Sequence, residues 1–179
     1  MSAMSDFDDL NRAKDEMGGI ERFLSKLPGI KGYREKEMRR DADKQLRDTL
    51  ARRLETRRRK LTGMQGDLLT SGGIQWMDDV ERVVGRLQLL IDRIKTAAYG
   101  YAPLWALNRV REDDLQRIVD FDQSLFDEVE RLDEAIGDLE KAVQVNDGIK
   151  EALQFLGDLL NGLNDTFSRR ADVIQNISD

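Results

Sequence analysis

The sequence predicts an all-α protein: an elongated antiparallel up-down helical bundle of four long helices, plus an N-terminal amphipathic helix. Three observations carry that expectation. Apolar residues recur at steps of three and four over most of the chain, the period of one helical face. Charged residues make up 36% of the 179 residues and aromatics 6%, with two prolines, a profile suited to long helices that each bury one stripe. Breaks between the periodic stretches are few and short: Pro28-Gly29, Ser71-Gly72-Gly73 and Asn146-Asp147-Gly148.

The first predicted helix covers about 5–27, with Leu10, Ala13, Met17, Ile20, Phe23, Leu24 and Leu27 on its apolar side. Gly18-Gly19 weakens its middle. Pro28 ends it, because proline disfavours helix in the residue before it. Residues 1–30 are therefore expected to form an amphipathic helix and its connection, and residues 31–179 the bundle.

The second helix is expected over 33–70, on a narrow stripe of Met38, Ala42, Leu46, Leu50, Leu54, Leu61, Met64 and Leu68. No apolar residue stands between Leu54 and Leu61, where the chain reads Glu55, Thr56, Arg57, Arg58, Arg59, Lys60. The third is expected over 74–98, with Trp76, Val80, Val83, Leu87, Leu90, Ile94 and Ala97 alternating steps of four and three, a seam suited to coiled-coil-like packing. An apolar connection follows at 99–110.

The fourth helix is expected over 111–145. Glu112, Asp113 and Asp114 favour the positive end of its dipole. Its seam is Leu115, Ile118, Asp122, Leu125, Val129, Leu132, Ile136, Leu139 and Val143. Asn146, Asp147 and Gly148 supply a break and a fresh cap. The fifth, over 147–177, carries Ile149, Leu153, Leu156, Leu160, Leu163, Phe167, Ile174 and Ile177. The last four helices would be about 38 to 57 Å long, and short connections make consecutive ones antiparallel neighbours.

Composition excludes much chemistry. The chain has no cysteine, hence no disulfide and no thiolate metal site. It has no histidine, which removes Ser-His-Asp and Cys-His catalysis and the Glu-x-x-His pairs of helical di-iron sites. No phosphate-binding glycine loop or nucleophile elbow occurs. Asp120-x-Asp122-x-Ser124 lacks the glycine of a calcium loop and falls inside a predicted helix. Neither catalytic activity, cofactor, metal nor small-molecule substrate is expected. No run of apolar residues is long enough to span a bilayer, and the start lacks a signal peptide's basic and apolar regions, so a cytoplasmic location is expected.

The net charge of −6 is unevenly placed. Residues 31–60 carry thirteen basic and six acidic side chains, whereas 112–179 carry six basic and eighteen acidic. Turning the fourth and fifth helices at Asn146 places Asp122, in an otherwise apolar seam, opposite Arg170, between Phe167 and Ile174. Folding the other helices in sequence brings Arg57, Arg58, Arg59, Lys60, Arg86 and Arg169 to the same level, around Asp120 and Asp122. Such a layer would either fix the register of the bundle at some cost in stability, or form a belt for an anion or a partner.

The segment 99–105 gathers Tyr99, Tyr101, Pro103, Leu104 and Trp105. It would either cap the end of the bundle or dock a partner, since aromatic residues are enriched at binding hot spots. The basic stretch 52–60 would make at most a weak nucleic-acid contact. No aromatic interleaves it, and the chain as a whole is acidic.

Two stretches carry a resemblance. Leu27-Pro-Gly-Ile-Lys-Gly-Tyr-Arg34 with Arg39-Arg-Asp-Ala-Asp-Lys44, and Tyr99-Gly-Tyr101 with Leu115 and Phe121-Asp122, resemble a family of uncharacterised bacterial helical-bundle proteins over most of 25–145. The resemblance implies that the connections at 27–34 and 99–105 are shaped features, and it implies no activity. The order of an amphipathic first helix, a basic second helix and an acidic C-terminal half is also similar to membrane-remodelling filament proteins of the phage-shock and ESCRT-III type. Here, however, the long hairpin is shorter and the first helix is not basic.

The expectation is thus a non-catalytic scaffold or adaptor that binds protein, self-associating through spare apolar faces such as Val84, Ile91, Phe126 and Leu159. The alternatives are a peripheral membrane or filament-forming protein using the first helix and the basic stretch, and a weak nucleic-acid binder using 52–60.

Overall fold

A computed structural model describes residues 36–71, 73–97 and 112–178. Four helices account for nearly all of them: α1 (Lys36–Ser71), α2 (Met77–Thr96), α3 (Glu112–Val145) and α4 (Ile149–Ser178), with a 3-10 turn at Ile74–Trp76 leading into α2. The predicted helix at 5–27 and the connection at 99–110 lie outside the described residues. So do the side chains of Met38, Ala42, Leu115 and Ile177.

Both turns form by capping. At the end of α3, Asn146 takes φ 52°, the left-handed region, and closes the helix with two bonds. Its own N–H donates to Val143 O at 3.3 Å, and that of Asp147 donates to Ala142 O at 3.1 Å, the Schellman pattern. At the end of α1, the Gly73 N–H donates to Leu68 O at 2.8 Å. Position 73 needs glycine for space, because a Cβ there would stand 2.5 Å from Leu68 Cδ2.

The seams read from the sequence are the core. Leu50, Leu54, Leu61, Leu68, Val80, Leu87, Leu90, Ile94, Leu125, Val129, Leu132, Ile136, Leu139, Leu156 and Leu163 are all buried. Trp76 and Ala97, at the ends of the third seam, are partly buried against it. Burying an aliphatic side chain of this kind stabilises the fold by about 1.5–3 kcal/mol.

The expected self-association faces are corrected. Ile91 and Phe126 are 0% and 1% exposed, and Val84 and Leu159 pack against the same core. Each helix touches two neighbours, so its apolar stripe is wider than a single two-position seam.

Consecutive helices are antiparallel, as the turns require, but the order around the bundle differs from a sequential fold. α1 packs on α2 and α3, and α4 packs on α3 and α2. Pairs between elements fix the directions. Arg57 pairs with Asp133 and Lys60 with Glu140, so α1 and α3 run the same way. Arg93 donates to Asn164 and Ser168, and Arg86 lies against Gly157, so α2 and α4 also run the same way. The molecule is two helical hairpins laid side by side, with both turns at one end.

The helices differ in length. From the shared turn, α1 runs back through 36 residues, whereas α2 has 20 after its 3-10 turn. α1 therefore outruns α2 by about 20 Å. In that stretch the described bundle consists of α1, α3 and α4.

Candidate functional site

The polar layer lies in this three-helix stretch. Arg170 on α4 donates through Nε to Asp122 on α3 at 2.5 Å, and through Nη2 to Asp43 on α1 at 3.0 Å. Asp43, Asp122 and Arg170 are 6%, 1% and 6% exposed. Asp43 also accepts from Arg47 Nε at 3.0 Å, one turn along α1. The chain Arg47–Asp43–Arg170–Asp122 alternates in sign and is electrically neutral when all four groups are charged.

Two charges in the layer, Asp122 and Arg170, are shifted by their surroundings. Burial raises the pKa of Asp122 above the ordinary carboxylate value, against the opposing pull of Arg170, and Asp43 adds to the rise. Burial also works against the charge on Arg170, but Asp122 and Asp43 outweigh it and hold the guanidinium protonated.

The opposition of Asp122 and Arg170 anticipated from the turn at Asn146 is present. Arg169, next to Arg170 on α4, is at that level too but faces solvent, and the other basic residues expected there are elsewhere. Arg57 is 5% exposed and fills the apolar gap in α1, donating to Asp133 and to Arg53 O. Asp133 stands eleven residues beyond Asp122 on α3, about 16 Å along the axis. Lys60 reaches Glu140, further still in the same direction. Arg86 lies against Gly157, thirteen residues and about 20 Å from Arg170 along α4.

Arg59 donates to Thr56, and Arg169 is exposed on α4. Arg58 is half-buried with its Nε unpartnered. It lies near enough to Glu55 to help lower that group's pKa, after the larger effect of the hydrogen bond from Lys95. Arg57 and Arg86 therefore lie near a level of their own, about 16–20 Å from the Asp122–Arg170 layer toward the turns, with Lys60 further still, and they do not form one belt with that layer. The cause is the lateral order of the hairpins, which puts α3 beside α1 where α2 had been expected to meet it. Tyr99, Tyr101, Pro103, Leu104 and Trp105 lie outside the described residues.

Three features were not anticipated from the sequence. Asp43 is the third member of the layer. A cleft of about 420 Å³ opens between the first halves of α2 and α4, lined by Arg82, Val83, Arg86, Lys150, Leu153 and Gly157 among others. Leu69, Ile74 and Val145 are 56%, 68% and 71% exposed, all on the two turns that share one end of the bundle.

Among the described residues, no helix is long and apolar enough to cross a membrane, and no group of three or more Asp or Glu side chains is gathered to hold a metal ion. Comparison with protein-family models, with curated proteins and with solved structures gave no match.

Proposed function

We propose that the protein is a non-catalytic helical scaffold, and that it binds another protein with the end of the bundle where both turns lie. The observation that carries this is the exposure of Leu69, Ile74 and Val145. Turns are ordinarily polar, and a large apolar side chain held in water at a turn is favourable only when something covers it. The two turns also carry exposed Asp67, Asp78, Asp147 and Glu151. The complementary partner is a protein surface with an apolar centre and a basic rim, the usual arrangement of a dry core and a charged margin. The absence of histidine and cysteine supports a role in binding over one in catalysis.

Site-specific photo-crosslinking tests this. A photoreactive residue at position 74 should give a discrete adduct in cells of the native source, lost on Val145→Glu. The same residue at position 130, on the exposed face of α3, should give none. An adduct of twice the chain mass would identify the partner as a second copy. If position 74 yields nothing beyond position 130, the turn end is not the binding surface.

A further inference from the structure

We propose that the cleft between α2 and α4 binds a phosphate monoester or a similar small tetrahedral oxyanion, with Arg86 and Lys150 as its cationic ligands. The cleft adjoins the turn-end surface at Asp79 and Lys150, but the inference does not rest on what that surface binds.

The first support is the state of the charges. Arg82 and Asp79 satisfy one another at 2.7 Å. Arg86 and Lys150 line the same cleft and, among the described residues, make no ion pair or hydrogen bond. The other carboxylate in the lining, Asp158, is likewise unpaired. Two free cations against one free carboxylate leave the cleft net positive. Arg86 stands about 14 Å into α2, beyond the first turn in which the helix dipole acts. At Arg86 the side chain therefore supplies the attraction, whereas Lys150 stands in the first turn of α4, where the dipole adds to it.

The second support is shape. A Cβ at position 157 would come 3.2 Å from Arg86 Nη1. The guanidinium therefore lies close against the backbone of α4, where a Cβ would press on it and make it shift. Glycine in the interior of a long helix is unfavourable, and here its missing side chain is what admits the guanidinium. A planar guanidinium holds two oxygens of a phosphoryl group at once, and an ammonium beside it adds a point charge.

The third support is the floor. Val83 and Leu153 are 5% and 4% exposed, so the cleft has an apolar base beneath its charged rim. The volume lies at the lower end of the range for small-molecule sites, enough for a phosphoryl group carrying a small organic part.

Phenyl phosphate and inorganic phosphate, titrated into the full-length protein with chloride holding ionic strength constant, are the probes. Thermal unfolding and the backbone amide resonances of Arg86 and Gly157 are the readouts. Both probes should raise the melting temperature by mass action and shift those two resonances. Arg86→Gln should weaken binding about tenfold, the loss of one charged hydrogen-bonding group. Asp158→Asn should tighten it. Gly157→Ala should raise the melting temperature of the unliganded protein, because the flexible guanidinium can swing aside, and yet weaken phosphate binding. That opposite pair of signs separates a shaped site from general attraction of anions. No saturable effect of either probe, or equal affinity in wild type and Arg86→Gln, would overturn the proposal.

Discussion

Arg170 donates to Asp122 across the α3–α4 seam at 2.5 Å, at a level of the bundle beyond the end of α2. The same guanidinium holds Asp43 on α1, so one side chain ties together the three helices present there. Removing two ions from water costs several kcal/mol each, and their attraction offsets that cost only when every remaining polar atom is satisfied. Such a layer adds little net stability. Its effect is specificity of register, because sliding α4 by one turn would leave both buried carboxylates without their partner.

The first prediction separates pairing from packing. Arg170→Met should destabilise by about 3–5 kcal/mol, since it leaves Asp122 buried without a cation. Adding Asp122→Leu to that variant should recover most of the loss, because an apolar pair needs no hydrogen bonds. Asp122→Leu alone should cost less than Arg170→Met, because Arg170 retains Asp43. Urea denaturation of the three variants measures the differences. Equal stability of Arg170→Met and the double variant would remove the buried charge as the cause.

The second concerns pH. Asp122 has a pKa raised by burial above its ordinary value, so the folded state takes up this proton at a higher pH than the unfolded chain. The contribution of the group to stability therefore rises as pH falls from neutral through the raised pKa. It levels off below the ordinary carboxylate value, where both states are protonated. Wild type should accordingly gain stability relative to Asp122→Asn on mild acidification. Unfolding free energies of the two proteins between pH 7 and pH 4 check the sign.

The third concerns Arg57. It is 5% exposed, whereas the side chain of its partner Asp133 is 46% exposed, and its Nε has no hydrogen-bond partner. Arg57→Met fills the same space without a buried charge, and Asp133 returns to water at little cost. That variant should be neutral or more stable, by up to about 2 kcal/mol. Arg57→Ala should destabilise by about 2 kcal/mol or more, through the cavity it leaves. Thermal melts distinguish the two outcomes.

Much of this was legible in the chain. Asp122 and Arg170 are each a polar fault in a regular apolar seam, and the turn at Asn146 connects their helices so tightly that only one register is open. Asp43 was not legible, because α1 was expected to face α2 throughout, and beyond the end of α2 it meets α3 and α4 instead. The displacement of Arg57, Lys60 and Arg86 from that layer has a related cause. A hairpin turn specifies its own two helices, but a connection as long as 98–111 does not specify how two hairpins lie against each other. The cleft at Arg86 depends on that lateral order. Its one sequence signal is Gly157, a glycine in the middle of a strongly periodic helix.

The last prediction concerns the turns that hold each hairpin in register. Asn146 pays for its left-handed backbone with strain that glycine would not have, so Asn146→Gly should stabilise by about 0.5–1 kcal/mol. Gly73 is glycine for a different reason. Its backbone is ordinary, with φ −85°, but Leu68 Cδ2 lies where a Cβ would be. Gly73→Ala must displace a fully buried leucine, and should destabilise by about 1–3 kcal/mol. Pairing it with Leu68→Ala would remove the clash, so the combined cost should fall short of the sum of the two single costs. A double-mutant cycle in urea measures that coupling; strict additivity would show that the close approach of Leu68 is not what position 73 requires.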